Sequence, residues 1–260
     1  MTFYMFRTEC VLQHLRLQTA ERDYPVVMSV FNSPGRMEDN LDWLHPGEFE
    51  YLHTLNFPRR RHSYLAGRYV AKHAVAGFID AYVPFHEIEI SHGLLGQPVV
   101  TAAGRPNIQV SISHCDDAAS ALAFPESVPL GIDVELICTS RLDVLYNQLT
   151  DRERDVWNRL PFAPEASLTM LWSGKEALSK VLRTGLTMPQ HYYETIELEV
   201  NSSGFYGRYA NFPQHRFLAY ATESHSYAIT YPYHTIITDI DGQPLESNFH
   251  RYLKTGDSNG

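Results

Sequence analysis

The chain has 260 residues, long enough for one large domain or two modest ones with a substantial core. Hydrophobic residues make up 44% and charged residues 20%, ordinary for a soluble globular protein, and a formal net charge of −9 argues against general affinity for nucleic acid or an anionic membrane. Cys10, Cys115 and Cys138 form an odd set without metal-ligand spacing, which argues against a disulfide framework or a zinc site and makes a reduced, cytoplasmic setting the default.

Met1 to Leu17 is broken by Arg7, Glu9, His14 and Arg16 and lacks a secretory apolar core. No later stretch reaches the roughly 18 apolar residues of a membrane span. Tyr24 to Phe31 reads as an opening strand closed by the Asn32-Ser33-Pro34-Gly35 turn. Glu48 to Leu55 and Tyr64 to Phe78 read as helices, with Arg59, Arg60, Arg61, Arg68 and Lys72 making a local basic cluster in the second and its approach. His86 to Ser91 alternates as a strand. Its period sends His86 to one face and Glu87 and Glu89 to the other, so no metal site forms there. A turn at Gly93 to Pro98 and a strand over Asn107 to Ile112 follow. Ala118 to Phe124 and Val128 to Ile137 read as adjacent strands joined by Pro125-Glu126-Ser127. Beyond them Arg141 to Leu149, Asp151 to Leu160 and Ser167 to Leu182 are predicted helices. Tyr193 to Val200, Phe205 to Tyr209, Phe217 to Thr222 and Tyr227 to Tyr231 are predicted strands. Tyr233 to Ile240 adds one more, anchored by Ile236, Ile237 and Ile240 on the second half, and Thr255 to Gly260 is expected to be disordered. These elements make two α+β halves with a seam near Pro125 to Glu135 and no residue-level repeat.

Two signatures stand out. In Gly131-Ile132-Asp133-Val134-Glu135 an apolar strand carries two carboxylates on one face. In Trp172-Ser173-Gly174-Lys175-Glu176-Ala177-Leu178-Ser179-Lys180 a helix sets Glu176 and Lys180 one turn apart on a shared face. Brought together, three carboxylates converge beside an ammonium group, a hard-oxygen set suited to holding Mg²⁺ against a diphosphate.

Both signatures resemble those of the Sfp-type 4′-phosphopantetheinyl transferases. Arg60 to Arg68 is similar to the early basic helix of that family, Gly96-Gln97-Pro98 to its Gly-Lys-Pro turn, and Ser111-Ile112-Ser113-His114 to its Asn-Ile-Ser-His strand. The resemblance implies two similar, pseudo-symmetric α/β lobes with the active site between them, an N-terminal lobe over 1–127 and a C-terminal lobe over 128–232 carrying the metal signatures; the extension over 233–260 departs from it. It implies transfer of the 4′-phosphopantetheine arm of coenzyme A to a serine of an apo acyl or peptidyl carrier protein in fatty-acid, polyketide or nonribosomal-peptide synthesis, by a monomer. Resemblance assigns Asp133, Glu135 and Glu176 to Mg²⁺, Lys180 to the diphosphate and the reacting centre, and Arg61, Arg68, Gln97, Pro98, Ser113 and His114 to coenzyme A, with a cationic His114 suiting its phosphates. The base is Glu176 or a metal-bound water. Gln97 and Ser111 depart from the family's Lys and Asn. Lys175 reads as a ligand or a solvated neighbour, and Glu153 as an acidic family position or a helix-capping group. The other readings are a Mg²⁺-dependent diphosphate hydrolase, which needs no acceptor protein, and a non-catalytic protein that binds carriers or coenzyme A.

Overall fold

Period-2 burial builds the first element, which the sequence reading passed over. In strand β1 (Cys10–Gln18) Leu15 and Leu17 are buried while His14 and Arg16 are exposed. The computed structural model describes residues 10–32, 37–79, 81–102 and 107–245. After β1 come β2 (Asp23–Asn32), helices α1 (Pro46–Thr54) and α2 (Pro58–Ile79), and strands β3 (Ile88–His92), β4 (Pro98–Ala102), β5 (Ile108–Cys115) and β6 (Ala118–Pro125). The second half holds β7 (Gly131–Leu136), α3 (Leu142–Tyr146), α4 (Asp151–Trp157), α5 (Pro164–Leu182), β8 (Thr195–Val200), β9 (Gly204–Tyr209), β10 (His215–Ala221) and β11 (His225–Pro232), followed by β12 (Ile236–Asp239). The helix expected over Arg141 to Leu149 shrinks to α3 with a single 3₁₀ turn before it.

Two antiparallel five-stranded sheets result, in the orders β12-β1-β2-β6-β5 and β7-β11-β10-β9-β8, with β3 and β4 paired as a separate hairpin. The sheets face each other across a core in which Leu15, Met28 and Leu122 meet Ile132, Val134 and Ile229. Helix α2 covers the outer face of the first sheet, and α5 that of the second. The molecule is therefore an α+β sandwich of four layers, helix, sheet, sheet, helix.

Two expectations about the chain path need correcting. β6 and β7 are not neighbours in one sheet: Pro125 to Leu130 carries the chain from the first sheet to the second. β12 is an added strand of the first sheet, pairing with β1 so that Ile237 faces Leu17, and through Ile237 it also reaches the core shared with Leu218 and Ile229 of the second half. Only Ile237 of the three isoleucines is buried; Ile236 and Ile240 are exposed, and Leu245 supplies the other apolar anchor. Thr255 to Gly260 lies outside the described residues.

One buried device occurs in both halves. Glu48, in the first turn of α1, accepts at Oε2 from the His45 backbone N–H (3.0 Å) and from Lys72 Nζ of α2 (2.7 Å), and at Oε1 from the Ile90 N–H of β3 (2.9 Å). Glu153, in the first turn of α4, accepts at Oε2 from the Thr150 N–H (3.0 Å) and from Lys175 Nζ of α5 (2.7 Å), and at Oε1 from the Thr195 N–H of β8 (2.9 Å). Each clamp ties a short helix, the long helix and a strand together through one carboxylate, so every charge taken out of water meets a partner. The capping reading of Glu153 is the one the geometry supports. Lys175, fully buried, is neither a solvated neighbour nor at the carboxylate site, and Lys72 leaves the surface basic cluster to become its counterpart.

Candidate active site

The two sheets meet edge to edge where β5 lies beside β7, and side chains of β5 take the place of a backbone ladder. Ser111, Ser113 and Cys115 alternate along β5 and all point at β7. Ser111 Oγ accepts from the Ile132 N–H (3.0 Å), Ser113 Oγ donates to Asp133 Oδ1 (2.8 Å), and Cys115 Sγ accepts from the Leu136 N–H (3.3 Å). β7 sends Ile132 and Val134 into the core between the sheets and Asp133 and Glu135 to the opposite face, toward α5.

The glycines of the two signatures set how closely α5 approaches. A Cβ on Gly131 would stand 2.1 Å from the Ala177 carbonyl oxygen, and one on Gly174 would stand 2.6 Å from the Phe217 ring. Helix α5 thus meets β7 backbone to backbone and takes the Phe217 ring of β10 against its own backbone, with no spacer at either point. The approach lets Lys180 Nζ reach across to donate to Ile132 O (2.8 Å) and Asp133 Oδ1 (2.8 Å). Asp133 is buried, and its second oxygen, Oδ2, has no hydrogen-bond partner. Glu135 is paired with Arg141 Nη1. Desolvation and then the Asp133 charge raise the pKa of Glu135, and the same two causes push Glu176 up to about 7. Three carboxylates therefore share the counter-charge of Lys180 and Arg141, and the group remains short of cation.

Among the described residues, no three His, Cys, Asp or Glu side chains are gathered into a ready metal cage. Mg²⁺ is commonly held by one or two carboxylates with phosphate oxygens and water completing its shell. The partnerless Asp133 Oδ2 and the all-oxygen donor set fit that mode.

Two hollows open beside this cluster and share Gly96, Pro98 and Ile112. One, of about 430 Å³, is lined by Arg60, Ser63, Arg68, His92 and His114 and carries the cationic side. In it the Arg68 guanidinium lies 4.5 Å over the Tyr64 ring and 3.1 Å from His92 Nε2. The other, of about 290 Å³, mixes apolar side chains with Gln109 and Arg183 and ends at Ser179 and Lys180. His114 is exposed overall, but its ring lies over Gly67 of α2, where an added Cβ would come within 3.4 Å. Its pKa is lowered, first by desolvation and then by Lys180, which works against the cationic form that would suit a phosphate.

The structure thus brings Asp133, Glu135, Glu176, Lys180, Ser113, His114, Arg68 and Pro98 to one seam. Two residues sit differently from expectation. Arg61 points away from the cleft, its guanidinium donating to Leu52 O (3.0 Å) and pairing with Glu38 (3.2 Å), and its neighbour Arg60 lines the cleft instead. Gln97 folds back into its own turn, accepting from the Leu95 N–H (2.9 Å), so that it closes the loop while bordering the smaller hollow. Arg141 was not singled out from the sequence at all; it follows the strand signature by one irregular turn, and only the fold reveals its pairing with Glu135.

A strand bearing two carboxylates against a helix bearing Glu and Lys offers the hard oxygen donors and the cation that a diphosphate held with Mg²⁺ would call for. Residues 129–232 match the model of the 4′-phosphopantetheinyl transferase superfamily, so the family likeness of the two signatures holds over this part of the chain. A holo-[acyl-carrier-protein] synthase from a Geobacillus species is 42% identical over 74 residues, which is 26% of this chain and 62% of that relative. The match thus spans less than two thirds of the relative's length. Two solved structures are also similar: a holo-(acyl-carrier-protein) synthase from Bacillus anthracis in complex with CoA (3′,5′-ADP), at 21% identity and a TM-score of 0.34 over 44% of this chain and 96% of that one, and a holo-ACP-synthase from Plasmodium yoelii, at 19% identity and a TM-score of 0.32 over 44% and 92%. Scores this low carry no argument about this chain.

Proposed function

We propose that the protein transfers the 4′-phosphopantetheine moiety of coenzyme A to a serine hydroxyl of an apo carrier protein, releasing adenosine 3′,5′-bisphosphate. The observation that carries this reading is Lys180 Nζ, fixed between Ile132 O and Asp133 Oδ1 within a cation-poor group of three carboxylates, beside a cleft whose far wall is cationic. Arg60 and Arg68 recognise the phosphates of coenzyme A in that cleft, with His114 donating a hydrogen bond. Asp133, Glu135 and Glu176 would hold Mg²⁺ together with the diphosphate oxygens; when bound, the ion supplies charge neutralisation at the diphosphate.

The residues divide the chemistry by charge. The serine oxygen forms a bond to the β-phosphorus as the bond from that phosphorus to the bridging oxygen breaks. Glu176, the carboxylate that α5 sets beside Asp133 and Lys180, takes the serine proton. Negative charge collects on the bridging oxygen, and Lys180 faces it with a charge already oriented by two acceptors, so little reorganisation is needed. Ser113 holds Asp133 Oδ1 in place and reaches the ligand only through that carboxylate.

Incubating the protein with coenzyme A, Mg²⁺ and a panel of small apo carrier proteins, and weighing the carriers, tests the reading. A phosphopantetheine mass increment is expected on at least one. Release of adenosine 3′,5′-bisphosphate with every carrier unmodified would instead favour a hydrolase.

A further inference from the structure

Along β3 the period of two puts Ile88, Ile90 and His92 on one face, and the two isoleucines are buried in the core that α2 covers. His92, the last residue of the strand, continues that face beyond the core and lines the cationic cleft. The turn that follows fixes it there. His92 stands opposite Pro98 in the hairpin, and Gly93 N–H donates to Gln97 O (2.7 Å), Gly96 N–H to Gly93 O (2.9 Å) and Leu95 N–H to Gln97 Oε1 (2.9 Å). Gln97 thus serves the cleft by closing the turn after His92.

Arg68, which lines the same cleft from α2, is only 6% exposed. A guanidinium so deeply set serves a ligand only if its few accessible N–H groups are aimed. Two groups compete for it. Glu48 Oε1 of the buried clamp lies 3.9 Å from its Nε, and His92 Nε2 in the cleft lies 3.1 Å from its Nη2. A guanidinium has donors only, so His92 Nε2 accepts and the imidazole proton sits on Nδ1. Desolvation and then Arg68 lower the pKa of His92, which favours that neutral ring. The imidazole is itself held, its centroid 4.8 Å from that of Tyr51 and 6.5 Å from that of Tyr64, the ring over which the Arg68 guanidinium lies. Without the Nε2 acceptor, the attraction of Glu48 goes unopposed and draws the guanidinium toward the core.

We propose that His92 is a positioning residue for anion recognition: its Nε2 holds the Arg68 guanidinium at the cleft surface, where the phosphates of coenzyme A are recognised. The inference rests on the transfer reading above. An uncharged acceptor orients the guanidinium without cancelling its charge, whereas a carboxylate in the same place would neutralise the cation that a phosphate needs. His92 acts through Arg68 and adds no charge of its own to the cleft.

Calorimetric titration of the metal-free protein with adenosine 3′,5′-bisphosphate tests this in the wild type, His92→Phe, His92→Gln, Arg68→Gln and the double variant His92→Phe/Arg68→Gln. His92→Phe keeps a ring against Tyr51 and Tyr64 but has no acceptor, and should weaken binding roughly three- to tenfold, the worth of about one hydrogen bond. His92→Gln restores an acceptor and should bind within about twofold of the wild type. In the Arg68→Gln background, His92→Phe should add no further loss. Unchanged binding by His92→Phe overturns the proposal, as does failure of His92→Gln to restore binding. An equal loss with and without Arg68 also overturns it, because the ring would then meet the ligand itself or merely shape the cleft. His92 is exposed, so if His92→Phe does not fold, His92→Ala carries the same expectations. No binding by the wild type would remove the transfer reading and the proposal with it; wild-type binding that Arg68→Gln weakens and His92→Phe leaves untouched would remove the proposal alone.

Discussion

The two halves of the molecule use one scaffold for different ends. Both fix a short helix, a long helix and a strand with a buried Glu–Lys clamp, Glu48–Lys72 in the first and Glu153–Lys175 in the second. Only the second adds carboxylates on the seam face, Asp133 and Glu135 on β7 and Glu176 on α5. The first presents Arg60 and Arg68 from α2. The clamps are satisfied: each carboxylate oxygen has partners, and no charge is left over. The seam is not: Asp133 Oδ2 has no partner and Glu176 is pushed up to about 7. What folds the protein is electrostatically closed, and what is proposed to act is left open for a ligand.

The comparison breaks most visibly at the clamps. Glu48→Ala and Glu153→Ala each strand a buried lysine, and each should lower unfolding free energy by about 3–5 kcal/mol in urea titrations. A cost confined to one half would deny that the two devices are equivalent. Next in size, Asp133→Ala and Glu176→Ala should lower the transfer rate by roughly 10² or more, about 3 kcal/mol of transition-state stabilisation, while circular dichroism reports an unchanged fold.

The third effect has the opposite sign for stability. Because folding raises the Glu176 pKa from 4.5 to about 7, the folded state holds the proton more tightly. The associated stability is full below pH 4.5 and is lost as pH rises through 7. Glu176→Gln, which cannot ionise, should therefore raise the melting temperature of the metal-free protein at pH 8 by roughly 2–4 °C, and should gain nothing at pH 4.5. A lower melting temperature at pH 8 would mean that the ionised carboxylate supports the fold. The smallest contrast lies within α2: Arg60→Ala should raise the KM for coenzyme A severalfold, whereas Arg61→Ala, whose guanidinium is already engaged with Glu38 and Leu52 O, should leave it within about twofold.

The parts of this arrangement that were legible in the sequence are those with a local period. Alternation in 131–135 and the i, i+4 spacing of Glu176 and Lys180 placed four side chains on the right faces, and the glycines between them mark where helix and strand touch. The clamps were not legible, because a glutamate and a lysine 24 residues apart in one half and 22 in the other carry no period. Lys175 adjoins Glu176 in the same signature, yet one helical step of about 100° turns it away from the seam and into the clamp. The same step separates Arg60 from Arg61. β1 carried a readable alternation at His14 to Leu17 that went unused, and the switch of sheets after β6 is a matter of the chain's path, which Pro125-Glu126-Ser127 does not encode locally.

The division between halves is tested most directly by steady-state kinetics of transfer for Lys180→Ala and Arg68→Gln in one assay, with the carrier protein saturating and coenzyme A varied. Lys180 meets charge that is larger in the transition state than in the ground state, so its loss should lower kcat by roughly 10² with little change in KM. Arg68 meets phosphates already charged in the ground state, so its loss should raise KM several times more than it lowers kcat. Equal changes in kcat and KM for the two variants would contradict the assignment of chemistry to one half and recognition to the other.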